Sequence, residues 1–485
     1  MPGTATLVIK DEVNVKIEGL ELDARRACMK KFEFEVPGAR YMPSVRLGRW
    51  NGKVSYFSLA GSTYINLLGD ILPILEGMNY DIDLDDQRDY SVSFNFNKVE
   101  TDSYSHIVWP KGHTQEGQSI VLRDYQTEVI NQFLENPQSI QEVATGAGKT
   151  IMTAVLSHSV EPYGRSIVIV PNKSLVTQTE VDYRNMGLDV GVYFGDRKEF
   201  NKTHTICTWQ SLNILLKNTK AGTADCTIQE FIEDVVCVIV DEVHMAKADA
   251  LKQLLTGVMS RVPIRWGLTG TIPKAEYERV ALQVSLGSVI NKLSASELQD
   301  KGVLANCHVN IVQLQDGQEF TNYQAELKHL LTDEKRLDKM CSLIDSIKDS
   351  GNTLVLVDRI NAGQEIVSRL DDAVFISGST KVNERKEEYD EVATATNKVL
   401  VATYGVAAVG INIPRIFNLV LIEPGKSFVR VIQSIGRGIR KAEDKDFVQI
   451  WDITSSCRFA KRHLTQRKAF YKEANYPFVI EKLDY

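Results

Sequence analysis

From about residue 120 to residue 455 the chain alternates short, wholly apolar runs with amphipathic stretches. Ser166–Val170, Val235–Val240, Thr353–Val357, Lys398–Val401, Asn418–Ile422 and Phe447–Ile450 are each flanked by helix-like sequence. A strand apolar on both faces must be covered on both, and helices connecting parallel strands supply that cover. The pattern therefore predicts parallel α/β sheets, with enough strands for two. The polar dip between Ser285 and Asn310 is where they divide.

The first hundred residues have a different texture. Thr6–Ile9, Val13–Ile17 and Phe32–Val36 alternate, Lys53–Phe57 supplies a possible partner strand, and a helix is expected over Leu68–Glu76 before Gly77. The acidic stretch Asp81–Asp89 and the polar segment Lys111–Gln118 are expected to bracket a domain boundary. The chain has 485 residues, too many for one core, so three domains are expected: 1–112, 113–300 and 301–485.

No apolar run reaches the ~18–20 residues of a membrane helix, and the N-terminus lacks the basic and apolar regions of an export signal. Seven scattered cysteines, with no Cys-x-x-Cys pair, argue against a disulfide framework and a zinc site. The expected setting is a reducing cytoplasm, the host's if the chain is phage-encoded. A net charge of −7 does not advertise a nucleic-acid binder, but phosphate binding depends on local patches. Residues 25–53 hold Arg25, Arg26, Lys30, Lys31, Arg40, Arg46, Arg49 and Lys53 against Glu33 and Glu35. That patch is either a phosphate-binding surface or a solvated face.

Three motifs carry chemistry. In Glu142–Thr150 the residues Thr145, Gly146, Ala147 and Gly148 precede Lys149 and Thr150. Such a loop wraps a polyphosphate in backbone N–H groups, the lysine reaches the β/γ-phosphates, and the threonine hydroxyl ligates Mg²⁺. The helix-like stretch after it would add a helix N-terminus. Val143 stands where the general pattern has its first glycine. Next, the apolar run Val238–Val240 ends in Asp241-Glu242-Val243-His244. Carboxylates at the C-terminal end of a buried strand suit phosphoryl transfer, with Asp241 holding Mg²⁺ through water and Glu242 deprotonating the attacking water. Last, Gln433–Arg440 places Arg437 and Arg440 three apart on one helical face. An arginine finger supplied from a second domain is worth about 10³–10⁵ in rate, or ~4–7 kcal/mol.

As an ordered set these residues resemble the superfamily-two helicases and translocases across residues 120–455. In that resemblance Leu122–Gln126 looks like the adenine-reading segment, with Arg123 and Gln126 as its contacts, and the family's own phosphate loop accommodates Val143. Pro171 and Lys173, then Thr208, Gln210 and Ser211, resemble nucleic-acid-backbone contacts of the first domain; Arg359, Gly378 and Thr403 do so in the second. Gly410 and Asn412 resemble a loop touching nucleotide as well as strand. Thr269, Gly270 and Thr271 resemble the segment coupling hydrolysis to domain movement, and His244 would contact the Gln433 region. The resemblance implies an α/β chain of two tandem RecA-like parallel-sheet domains preceded by a small α+β domain, using ATP and Mg²⁺.

The N-terminal segment narrows the resemblance. Arg40-Tyr41-Met42-Pro43 and Arg46–Lys53, together with Val431–Arg437 and Trp451-Asp452, look like UvsW-type phage recombination helicases. The implied partner is branched or forked DNA, and the implied work is branch migration, fork regression or unwinding. Arg46, Arg49 and Lys53 would contact phosphates. Trp50 either stacks on an unpaired base or anchors a small core. An RNA-directed ATPase and a binding or annealing module with a vestigial ATPase are the alternatives. In the closing segment Lys461, Arg462, Arg467 and Lys468 are read as a further DNA contact or a wet face.

Overall fold

The computed structural model describes residues 3–89, 93–111, 113, 115–243, 248–380, 382–410, 413, 415–425 and 444–485. The chain divides into two compact units, Met1–Val143 with Gly148–Lys292 and Ala144–Ala147 with Leu293–Tyr485. The Ala144 N–H donates to the Leu293 carbonyl (2.9 Å), which ties the short loop 144–147 to the second unit.

Among the described residues the first unit holds two main sheets, of four and eight strands, besides the two-stranded pair Glu33–Glu35 with Lys53–Ser55. In the four-stranded sheet the strand order is Ser62–Tyr64, Asn14–Glu18, Gly3–Ile9, Tyr80–Asp86. Gly3–Ile9 pairs antiparallel with Asn14–Glu18, Ile9 opposite Val15, and parallel with Tyr80–Asp86, Leu7 opposite Leu84. The acidic stretch expected at a domain boundary is thus largely a strand. Its aspartates alternate with Ile82 and Leu84, and an edge strand tolerates such charge because it deters pairing with another chain. Helices Leu22–Lys31 and Leu68–Gly77 bury Cys28, Ile71 and Leu75 in a core with Leu7, Ile17 and Phe57.

That core is completed by Ala281 and Val284 of the helix Glu276–Leu286. The Tyr56 hydroxyl donates to the Tyr277 carbonyl (2.8 Å) and the Gln283 amide to the Asn66 carbonyl (2.9 Å). A sheet of four short strands buries little apolar surface alone, so borrowing a helix is the economical way to close it. Between the two main sheets in sequence, the segment around Phe94–Val99 docks on the same unit. Asn131 both accepts from the Val99 N–H and donates to its carbonyl (2.8 Å each), and Phe94 and Phe96 pack edge-on against Tyr163.

The larger sheet has eight strands among the described residues, ordered Arg197–Lys198, Val190–Phe194, His204–Thr208, Arg165–Val170, Val235–Asp241, Ile264–Thr269, Gln138–Val143, Ser288–Leu293. Its central pairs are parallel. The second unit carries seven strands, ordered Ala373–Ile376, Val399–Thr403, Thr353–Val357, Asn418–Ile422, Phe447–Ser455, Asn306–Leu314, Phe478–Leu483, all paired in parallel. The apolar runs read from the sequence are these inner strands, and Val235–Val240 and Thr353–Val357 are almost wholly buried.

All seven cysteines are unpaired and buried. Among the described residues no helix is long and apolar enough to cross a membrane.

Candidate nucleotide and nucleic-acid sites

Three neighbouring strands of the larger sheet, Gln138–Val143, Ile264–Thr269 and Val235–Asp241, end side by side. Their register sets Glu142 opposite Thr269 and Leu268 opposite Asp241. Parallel α/β sheets bind ligands at such C-terminal edges, and here one edge gathers Gly148-Lys149, Asp241-Glu242 and the Thr269-Gly270-Thr271 segment.

Val143 is the buried last residue of its strand, in ordinary extended backbone. No glycine is required there because the chain turns later, at Gly146 (φ 92°) and Gly148 (φ 81°). Gly148 is the N-cap of the helix Lys149–Val160. A Cβ on it would also lie 2.6 Å from Nε2 of Gln126, so a side chain at Gly148 would strain the backbone and have to displace the Gln126 amide. Gln126 is itself fixed, its Oε1 accepting from the Arg123 N–H (2.9 Å), while Arg123 Nη1 donates to the Tyr125 hydroxyl (3.0 Å). The residues expected to read adenine thus abut the turn expected to hold phosphate.

Lys149 is buried, with Nζ 3.0 Å from Glu242 Oε1 and 3.3 Å from the Val143 carbonyl. Glu242 Oε2 accepts from the Gly270 N–H (3.3 Å), and the Glu242 N–H donates to Asp241 Oδ1 (2.9 Å). Glu242 has φ 51°, a left-handed conformation that costs a non-glycine residue ~1–3 kcal/mol and concentrates at functional sites. Behind it Thr269 Oγ1 donates to the Thr271 carbonyl (2.8 Å), and the buried Thr271 hydroxyl has no hydrogen-bond partner among the described residues. The structure therefore brings together Gly148, Lys149, Asp241, Glu242, Gln126 and Gly270. Thr150, beside Lys149 on the helix's first turn, is half-buried. His244, Asn412, Gln433, Arg437 and Arg440 lie outside the described residues.

On the same sheet, Pro171 follows the strand Arg165–Val170 and Thr208 ends its parallel neighbour. Thr208 caps the helix Trp209–Ala221, its Oγ1 accepting from the Ser211 N–H (3.2 Å) and bonding the Ser211 hydroxyl (2.9 Å). Gln210 reaches back to the Pro171 carbonyl (3.4 Å), and Lys173 opens the helix that Asn172 caps. Lys173, Gln210 and Ser211 share this edge. In the second unit, Thr403 ends its strand, Arg359 and Gly378 follow the two strands beside it, and Gly410 ends the helix Tyr404–Gly410. Arg359 Nη2 donates to Gln324 Oε1 (2.8 Å).

In the N-terminal part, residues 36–52 form an arm between the antiparallel strands Glu33–Glu35 and Lys53–Ser55. The arm contains three arginines and no acidic residue. Arg46 and Arg49 are exposed, whereas Lys53 pairs with Glu33 (2.7 Å). Trp50 is half-buried and its Nε1 donates to the Lys53 carbonyl (2.8 Å), while Tyr41 is 69% exposed with Arg40 over its ring at 4.7 Å.

One basic residue was misplaced by sequence reasoning. Arg467 is neither a DNA contact nor part of a wet face: it is 1% exposed and makes a two-pronged ion pair with Asp452 (2.8 and 2.9 Å). It lies on the inward side of the helix Arg458–Glu473 with His463, Leu464 and Tyr471, whereas Lys461 and Arg462 are exposed. Residue type suggested surface, and helical position put it in the core.

Two family models match the chain. The type III restriction enzyme res subunit covers residues 119–274, and the helicase conserved C-terminal domain covers 335–442. With the two parallel sheets, they define the class: the chain is a superfamily-two helicase, an ATP-using, nucleic-acid-dependent ATPase. Its similarity to the ATP-dependent DNA helicase uvsW of Enterobacteria phage T4 is 23% identity over 92% of this chain and 89% of the relative. The DNA 3'-5' helicase XPB of Kineococcus radiotolerans is 24% identical over 75% of this chain and 65% of that protein. Among solved structures, the DNA-bound type ISP restriction-modification enzyme LlaBIII shares the fold over 83% of this chain and 33% of its own (TM-score 0.53, 16% identity).

Proposed function

We propose that this helicase works on branched or forked DNA, using ATP with Mg²⁺ to drive branch migration, fork regression or unwinding. The observation that carries the motor half is the cluster of Lys149, Glu242 and Gly270 at one sheet edge. In this reading residues 113–300 and 301–485 are the motor domains and 1–112 position the DNA. Gly146–Thr150 and the helix N-terminus hold the phosphates, with Arg123 and Gln126 at the base. Among the described residues no group of three or more His, Cys, Asp or Glu could hold a metal. A Mg²⁺ ion held by Thr150, and by Asp241 through water, would complete its shell from phosphate oxygens and water. Bound there, the ion would neutralise charge on the transferring phosphoryl group. Glu242 takes the proton from the attacking water, and Arg437 and Arg440 with Gln433 stabilise the developing charge. Thr269–Thr271 and His244 pass the change onward, and Gly410 and Asn412 sense nucleotide. Pro171, Lys173, Thr208, Gln210, Ser211, Arg359, Gly378 and Thr403 grip the strand backbone.

The DNA half is supported by the full-length similarity to a phage DNA helicase and by the arm's uncompensated arginines. The deciding measurement is steady-state ATP hydrolysis with Mg²⁺ and no nucleic acid, single-stranded DNA, plain duplex, a four-way DNA junction or structured RNA. The expected result is greatest stimulation by the junction. Stimulation by RNA alone overturns the substrate, and no hydrolysis with any of them reduces the chain to a binding module.

A second expectation concerns the arm. Arg46→Ala with Arg49→Ala should flatten the slope of log K against log salt by about 2, since each lost phosphate contact removes about 0.9. Lys53→Ala should change it less, because Lys53 is paired with Glu33. Salt titration of junction binding checks both, and an unchanged slope in the double variant returns the arm to a solvated face.

A further inference from the structure

Four charged side chains are buried together in the second unit, and the mechanism above uses none of them. Arg336 is 0%, Glu423 5%, Asp452 0% and Arg467 1% exposed. Arg336 Nη2 donates to Glu423 Oε1 (2.6 Å) and its Nε to the Leu330 carbonyl (3.0 Å). Glu423 Oε2 accepts from the Thr454 hydroxyl (3.2 Å), and Tyr471 donates to Asp452 Oδ2 (2.7 Å) beside the two-pronged Arg467 contact. The third prong of the Arg467 guanidinium, Nη1, holds the Gly425 carbonyl (2.8 Å).

Burying four charges is a poor way to stabilise a core. Apolar residues of the same volume often do as well or better, so such a cluster calls for a reason in specificity. Its location suggests one. Glu423 directly follows the strand Asn418–Ile422, with φ 40°, and its N–H donates to the Ile453 carbonyl (3.0 Å). Two residues later Gly425, at φ 71°, is the last described position before the sequence that contains Gln433, Arg437 and Arg440. On the far side, Asp444 pairs with Arg415 (2.8 Å), and the Asp446 carbonyl accepts from Asn306 (2.8 Å). Both stems of that sequence are therefore fixed, the upstream one by the Glu423 backbone bond to the neighbouring strand and by the buried charges at Glu423 and Gly425.

We infer that the Arg336–Glu423 and Asp452–Arg467–Gly425 contacts are a positioning device for the γ-phosphate arginines, setting the direction in which the chain leaves the sheet at Gly425. This rests on the reading of Arg437 and Arg440 given above. The four side chains are buried, so they act through the backbone they hold and touch neither nucleotide nor DNA. A guanidinium is suited to the central place because its planar fork grips Asp452 with two N–H groups and Gly425 with a third, which a lysine ammonium on its flexible stem does not reproduce.

The test uses the full-length protein with junction DNA, comparing wild type with Arg467→Lys and Tyr471→Phe, both of which retain the bulk of the core. Arg467→Lys is expected to lower kcat for ATP about tenfold or more with KM within about twofold, the pattern of an interaction realised only in the transition state. Tyr471→Phe, which leaves the Gly425 contact intact, should stay within about threefold of wild type in kcat. Circular dichroism melts establish that each variant is folded. The discriminating arm is a double-mutant cycle in single-turnover hydrolysis with enzyme in excess. In an Arg437→Lys background, Arg467→Lys should cost much less than it does alone, because both act on one contact. Full additivity would make Arg467 a scaffold residue and overturn the inference, as would wild-type kcat in Arg467→Lys. Wild-type turnover in an Arg437→Ala, Arg440→Ala variant would instead overturn the reading of the arginines, and the inference with it.

Discussion

Glu242→Gln is expected to lower kcat by about 10²–10⁴ while leaving ATP binding intact, because it removes a general base and little else. The shape of the side chain is preserved, and the amide oxygen can still accept from Gly270 N–H, now 3.3 Å from Glu242 Oε2. What changes is the contact with Lys149 Nζ, at 3.0 Å from Oε1. With its oxygen kept on Gly270 the amide turns its NH2, a donor, toward the ammonium, so Lys149 loses its acceptor, is freer to turn to phosphate, and ATP affinity should hold or rise. Equilibrium binding of a fluorescent ATP analogue and single-turnover hydrolysis separate the two effects. Hydrolysis within threefold of wild type would sink the assignment of Glu242 as base. Loss of binding would mean that its role is to build the site.

The strand that presents Glu242 was readable in the sequence, and the geometry that makes it useful was not. A run such as Val235–Val240 is apolar on both faces because helices cover both, so one-dimensional pattern and three-dimensional burial coincide. The turn and helix around Lys149 were readable for a related reason: positive φ at Gly146 and Gly148 and a helix start at Lys149 are local events. By contrast, the left-handed φ of Glu242 has no signal in residue type, since glutamate is not a residue that favours it. The approach of Gln126 to Gly148 joins positions 22 apart in sequence through packing alone.

Charge misled where burial reversed its usual meaning. Arg467 read as a surface residue by type, yet it is enclosed with Asp452 from within the strand Phe447–Ser455, and Arg336 is likewise enclosed with Glu423 at the end of another strand. Asp81–Asp89 read as a polar break, although Tyr80–Asp86 is a strand whose open side tolerates aspartates. The union of the small sheet with the larger one was equally hidden. It depends on Ala281 and Val284, two small residues on a helix that serves two cores. That helix starts five residues after Thr271, so the segment that touches Glu242 through Gly270 is also close in sequence to the floor of the N-terminal part.

Lys149→Ala should abolish turnover, and it should also destabilise the nucleotide-free protein. Loss of activity follows from losing the point charge for the β/γ-phosphates, which the loop's N–H groups cannot replace. The stability effect follows from the geometry. Lys149 and Glu242 are each 8% exposed in side chain and 3.0 Å apart, so removing the ammonium takes a cation away from a buried carboxylate. Breaking a fully buried pair costs ~3–5 kcal/mol, and an upper bound of that order applies here because Gly270 N–H still serves Glu242. Adding Glu242→Gln to Lys149→Ala removes the negative charge that the ammonium had offset. The double variant should therefore melt higher than Lys149→Ala alone while remaining inactive. Thermal melts of the two single variants and the double, without nucleotide, test this directly. If Lys149→Ala melts with the wild type, the ion pair is too weak to matter and Lys149 waits for phosphate uncommitted. If it melts lower and Glu242→Gln restores it, the site holds its base against its phosphate-binding lysine until ATP separates them.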